Sequence, residues 1–356
     1  MQQAFTTLCQ HILPVDTSLH AAACARLDNL TKPQGSLGRL EEIAARLYCI
    51  AGGVTPLQLD PAAMFTVAGD HGVVAEQVAI FPQTVTRQMV QNFLNNGAGI
   101  NVLSRAANID LHVVDAGCAG GPFAPHPMLL DRRLGDGSAN IAVGPAMSRE
   151  ICLQGLLQGA ELADSAANAG KRCVGVGEMG IANTTPATAL YCALLDLTPE
   201  IMTGPGAGAS AEMIQHKIQV IHRALRVNTA AVTSGDPVAI LAALGGFEIA
   251  TMAGIMLGAA RRRMAVVVDG FISTAAYVVA RALCPAVEGY AFLSHASAEP
   301  GYTSAVEALH NSKPLLHLGL RLGEGTGAAL AIPLLRASAA IFNEMATFDQ
   351  ANVSKA

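Results

Sequence analysis

Two glutamates stand between glycines directly after short apolar runs: Glu178 in Gly177-Glu178-Met179-Gly180 and Glu324 in Gly323-Glu324-Gly325. Glycine flanks let a substrate approach a carboxylate closely. A carboxylate partly removed from water has a raised pKa and can take a proton near neutrality. The plainer alternative is that each caps a helix or bonds a loop. Asp70-His71-Gly72, Asp115-Ala116-Gly117, Asp269-Gly270 and Ser294-His295 follow other apolar runs. Singly these are ordinary turn chemistry; together they predict one ligand-binding edge. Glycine-rich loops at Gly204-Pro205-Gly206-Ala207-Gly208 and Gly323-Glu324-Gly325-Thr326-Gly327 each lead into a helix-length segment, with Lys217 downstream of the first. Backbone N–H groups there could hold the phosphate of a nucleotide monophosphate, or the glycines could merely permit tight turns. There is no Walker A motif and no GxGxxG directly after the first expected strand, which argues against an ATPase or an NAD-dependent dehydrogenase. His71, His295 and His317 are not spaced as metal ligands, and no metal is expected.

The elements that must position these residues alternate. Strands are expected at 64–68, 111–115, 172–176, 265–269, 290–294 and 315–320, with alanine-rich helices at 85–107, 149–169, 211–226, 247–261 and 326–345. That alternation predicts an α/β fold with a mostly parallel sheet covered by helices on both faces. In such a sheet the polar strand ends share one edge, where ligands bind. The stretch 117–137, rich in Gly and Pro, is expected to be a long loop beside a strand end, placed where a lid could lie. Residues 1–60 read as helical, as does the final segment. A small helical subdomain of 1–60 with 328–356 is therefore expected beside a catalytic α/β domain of 61–327.

Hydrophobic residues make up 51% of the 356 positions and charged residues only 14%. So little polar surface predicts a sizeable interface with a chain of the same or a similar kind. The net charge of −5 argues against a nucleic-acid footprint. Arg261-Arg262-Arg263 is expected to complement a helix C-terminus instead. Eight cysteines without a CxxC pair indicate neither a zinc site nor a disulfide framework. The N-terminus lacks the basic start and long apolar stretch of a signal peptide, and later apolar runs are broken, so the expected location is the cytoplasm, not a membrane.

At 31–41 (TKPQGSLGRLE), 68–73 (AGDHGV), 140–147 (NIAVGPAM), 175–187 (GVGEMGIANTTPA) and 321–331 (RLGEGTGAALA), the chain closely resembles the nicotinate-nucleotide:dimethylbenzimidazole phosphoribosyltransferase family. The motifs are long and run in order over nearly the whole chain. The resemblance implies ribose-phosphate transfer from nicotinate mononucleotide to an aromatic acceptor that becomes a cobamide lower ligand, without metal or organic cofactor. It also implies a dimer with active sites near the interface. Glu324 matches the family's catalytic base and Glu178 a second carboxylate near the ribose. Gly177, Met179, Gly180, the Gly204, Gly206 and Gly208 loop, and Lys217 match the nucleotide-binding region. Phe81, Met89 and Met179 match the acceptor pocket. The family also includes members that activate phenol or cresol, some built from two paralogous chains, so the partner could be an identical or a paralogous subunit. A catalytically weak paralogue and another nucleotide-using α/β enzyme are the competing readings.

Overall fold

The structure, a computed structural model, describes residues 1–206, 208–310 and 313–354. Its strands are β1 (Ala62–Gly69), β2 (Asp110–Gly117), β3 (Leu129–Asp131), β4 (Cys173–Met179), β5 (Ala265–Val268) and β6 (Ala291–Leu293). They form one sheet in the order β3-β2-β1-β4-β5-β6, every neighbouring pair parallel. β1, β5 and β6 are buried throughout, as parallel strands between helical layers must be. The expected α/β architecture is present. The strand order reverses between β1 and β4, which is where an open parallel sheet leaves a crevice at its C-terminal edge.

Local signals set the main helices. Ser148 caps Arg149–Asn168 by accepting the Ile151 N–H at 3.2 Å, and Ser210 caps Ala211–Val227 through the Met213 N–H at 3.3 Å. The helix Phe247–Arg261 is buried along all but its last residue, the position of a helix apolar around its whole circumference. It crosses Arg149–Asn168 so closely that a Cβ on Gly159 or Gly254 would collide with a carbonyl oxygen of the opposite helix. Close approach therefore overrides glycine's poor helix propensity at both positions.

Three expectations change. The helix expected at 85–107 is two, Thr84–Leu94 and Gly99–Ala106, because Asn96 takes a left-handed φ of 62° and the Asn101 carboxamide restarts the chain by accepting the Ala98 N–H. Residues 315–320 do not form a strand. They run along β6 for a few bonds, Leu315 to Leu293 and Leu316 to Ser294, until Gly319 turns with φ 66°. Conversely, 117–137 contains β3, too short to be distinguished from a loop. Arg87 braces this segment through the carbonyls of Ala119, Gly121 and Pro122 and lies 4.0 Å over the Phe123 ring.

The two ends of the chain meet. Leu30 bridges to Thr347, Thr31 donates to the Ala346 carbonyl, and Asn343 bonds both backbone groups of Leu57. Arg263 donates to the carbonyls of Cys49 and Ile50, thereby complementing the C-terminus of the helix Arg39–Ile50. Thr326–Glu344 is the one helix among the described residues that is long and apolar enough to cross a membrane, and more than half of it is buried inside the fold.

Candidate active site

A cavity of about 470 Å³ opens over the ends of β4, β5 and β6. Glu178, from the end of β4, and Glu324, from the loop before Thr326–Glu344, both line it, and the two loops are joined by the Glu324 N–H donating to the Glu178 carbonyl at 3.2 Å. Both carboxylates are nearly buried, at 7% and 5% exposure. Burial drives the Glu178 pKa up to about 8; the Asn183 amide opposes this, while the negative charges of Asp269, Glu248 and Glu324 add to it. Burial also raises Glu324, opposed by the Ile100 N–H, which donates to its Oε2 at 3.1 Å. Met179 and Gly180 continue the wall beyond Glu178. Gly177 does not line the cavity. A Cβ there would collide with the Gly325 nitrogen, so this glycine lets the two carboxylate loops touch.

Lys217 lines the same cavity, 3% exposed, with its pKa lowered by burial. Its ammonium donates to the Thr184 hydroxyl at 3.1 Å and the Gly204 carbonyl at 3.3 Å. Gly206 lines the cavity and donates its N–H to Glu299 Oε2 at 3.3 Å. Gly204 and Gly208 shape the loop without lining the cavity, and Ala207 lies outside the described residues. The second glycine-rich loop is no phosphate seat. Its N–H groups at Gly325, Gly327 and Ala328 all donate to the Asp269 carboxylate, at 3.0, 2.8 and 3.2 Å. A helix N-terminus already occupied by a buried carboxylate has no donor left for a second anion.

Part of the wall is apolar. Phe81 and Met89 line it with Ile80 and Val85, Met89 and Val85 coming from the helix Thr84–Leu94. Of the other strand-end motifs, Gly270 and His295 reach the cavity, whereas Asp70 and Asp115 do turn chemistry: Asp70 accepts the Ala119 N–H, and Asp115 accepts those of Gly117 and Cys118 while pairing with Arg133. His71 is spent on a buried bond to Glu248 at 2.8 Å. His317 does not line the cavity. Sequence reasoning missed Thr184, Ser297, Glu299 and Arg321, which all line the cavity. Thr184 follows the Glu178 motif closely enough to have been found; the others sit in irregular loops with no pattern to mark them. No group of three His, Cys, Asp or Glu side chains among the described residues could hold a metal ion.

A family model described as phosphoribosyltransferase matches residues 12–353. The nicotinate-nucleotide–dimethylbenzimidazole phosphoribosyltransferase of Nitratidesulfovibrio vulgaris strain DP4 is 65% identical over 356 residues, covering 100% of this chain and 99% of that protein. The chain belongs to this phosphoribosyltransferase family. The enzyme of the same name from Chlorobaculum tepidum is 53% identical over 354 residues, 99% of each chain. A crystal structure of CobT from Thermus thermophilus superposes with a TM-score of 0.90 at 45% identity, covering 95% of this chain and 100% of that one. As a phosphoribosyltransferase, the chain needs a phosphate seat, a ribose site and an acceptor pocket in one cleft.

Proposed function

We propose that this chain transfers the phosphoribosyl group of nicotinate mononucleotide to an aromatic lower-ligand base, giving the α-riboside 5′-phosphate and nicotinate. The observation that carries this reading is that a pair of buried carboxylates, a buried lysine and an apolar wall line a single cleft. The named activities of its relatives support it. Lys217, beside the 204–208 loop, would hold the 5′-phosphate. Met179 and Gly180, in this reading, border the nucleotide.

Nicotinate bound through its ring nitrogen is a cationic leaving group. As the C1′–N bond breaks, its electron pair returns to the ring and nicotinate leaves with a neutral ring nitrogen, so no acid is needed. Positive charge builds on the ribose, and ionised Glu178 would stabilise it. The acceptor attacks from the opposite face, inverting C1′ from β to α, while its N–H or O–H proton passes to Glu324.

Phe81, Met89 and Met179 would form the acceptor pocket. Apolar and partly deformable, such a pocket suits compact aromatics and offers little to a purine edge. Dimethylbenzimidazole and phenolic acceptors should therefore both react, with adenine a poor third. The test gives purified protein nicotinate mononucleotide and equimolar dimethylbenzimidazole, phenol and adenine, with products read by mass spectrometry. Preferential formation of the adenine product would overturn the pocket argument, and no α-riboside phosphate with any acceptor would overturn the activity.

A further inference from the structure

We propose that Thr66 is a positioning residue for Glu324, holding the peptide unit that carries its carboxylate into the cleft, where the Ile100 N–H binds Oε2 and Oε1 takes the acceptor's proton. This rests on the reading of Glu324 as the base. Glu324 is held at φ 63°, flanked by Gly323 at 83° and Gly325 at 98°. A residue with a side chain disfavours that conformation and keeps it only when its surroundings enforce it. Three contacts do so. The Glu324 N–H donates to the Glu178 carbonyl at 3.2 Å, its carbonyl accepts the Thr66 hydroxyl at 2.7 Å, and its Oε2 accepts the Ile100 N–H at 3.1 Å.

Thr66 does not owe its hydroxyl to packing. It is fully buried in β1, whose sequence is otherwise AAMFVAG, all small or apolar. Valine would fill the same space without the cost of burying an O–H. That hydroxyl reaches across to the one peptide unit whose unusual conformation aims Glu324 into the cleft. Ile100 lies in the first turn of Gly99–Ala106, where an N–H has no partner within the helix and favours a negative charge. With Oε2 committed there, Oε1 is left to face the acceptor. The acceptor's N–H or O–H bond breaks toward Oε1, its electron pair forms the bond to C1′, and the pair of the breaking C1′–N bond returns to nicotinate.

The test compares Thr66→Val, Thr66→Ala and Thr66→Ser, each alone and combined with Glu324→Gln, by kcat and by KM for nicotinate mononucleotide. Thr66→Val should lower kcat about tenfold to a hundredfold, the cost of a misplaced reacting group, and leave KM within about twofold. Thr66→Ser, which keeps the hydroxyl, should restore kcat. Thr66→Val should add nothing once Glu324→Gln has removed the group being positioned. Should Thr66→Val not fold, Thr66→Ala carries the same comparison. The proposal is overturned if kcat survives loss of the hydroxyl, if Ser fails as badly as Val, or if Val and Gln multiply. Retained turnover in Glu324→Gln would sink the base reading along with it, whereas a silent Thr66→Val beside an inactive Glu324→Gln would sink the positioning alone.

Discussion

Glu178 and Glu324 have the same chemistry, and burial raises the pKa of both, Glu178 the more strongly; their neighbours then act in different directions. Glu324 receives a helix-terminal N–H, which favours its ionised form. Glu178 is more deeply desolvated and faces Asp269, Glu248 and Glu324, and burial first, then those carboxylates, push its pKa up to about 8 against the opposing Asn183 amide. A protonated Glu178 cannot stabilise a cationic ribose. The pyridinium of nicotinate mononucleotide supplies what is missing: an opposite charge in the cleft pulls the Glu178 pKa down, and the proton leaves as substrate binds. The sign follows. Because the substrate-bound form prefers ionised Glu178, affinity should rise with pH up to about 8 and then level off. Calorimetry in buffers of different ionisation enthalpy should show proton release near pH 7, and Glu178→Gln should abolish that component. Binding without proton release at pH 7 would mean that Glu178 is already ionised in the free protein or stays protonated in the complex.

The phosphate seat proposed above would draw on two segments, the 204–208 loop and the helix Ala211–Val227. Lys217 is buried and its ammonium is met only by the neutral oxygens of Thr184 and Gly204, with the Glu299 carboxylate nearby. A phosphate arriving there would supply the full counter-charge. Lys217→Ala should therefore raise KM for nicotinate mononucleotide by at least about tenfold, the scale of a lost charge-assisted bond, and change the acceptor KM much less. Equal effects on both would count against the assignment. These elements were legible to different degrees. The helices 149–168, 211–227 and 247–261 were legible as helix-length apolar runs between strands, and the carboxylate loops from glycine flanks after strands. The split at Asn96, the three residues of β3, and the use of Asp269 rather than phosphate on the Gly325 loop were not legible. The last depends on a partner distant in sequence: Asp269 is 56 residues from the Gly325 N–H it accepts, and nothing local announces the pairing.

The contacts of Leu30, Thr31 and Leu57 with residues 343–347 lead us to propose that 1–60 and 328–356 form one helical subdomain beside the catalytic 61–327. The helix Gln2–Gln10 ties this unit to the catalytic part through Arg149 and Cys284. The scarcity of charge in the sequence has its counterpart at the mouth of the cleft. Ile80, Phe81 and Leu322, all lining the cavity, are 44%, 46% and 61% exposed, and Leu318 on the same loop is 55% exposed. Side chains of this kind grouped beside a catalytic cavity invite a second chain to cover them. A second copy there would shield the acceptor wall from water and strengthen the electrostatics of the carboxylate pair. The chain should therefore sediment at twice its own mass. Leu318→Asp, which places a charge in the grouped apolar surface outside the cavity, should weaken self-association and lower kcat/KM in parallel as protein concentration falls. Sedimentation velocity and initial rates over the same dilution series decide it: a fully active monomer at every concentration would refute the interface. A monomer that is inactive alone and gains activity with a paralogous chain would make the covering partner heterologous.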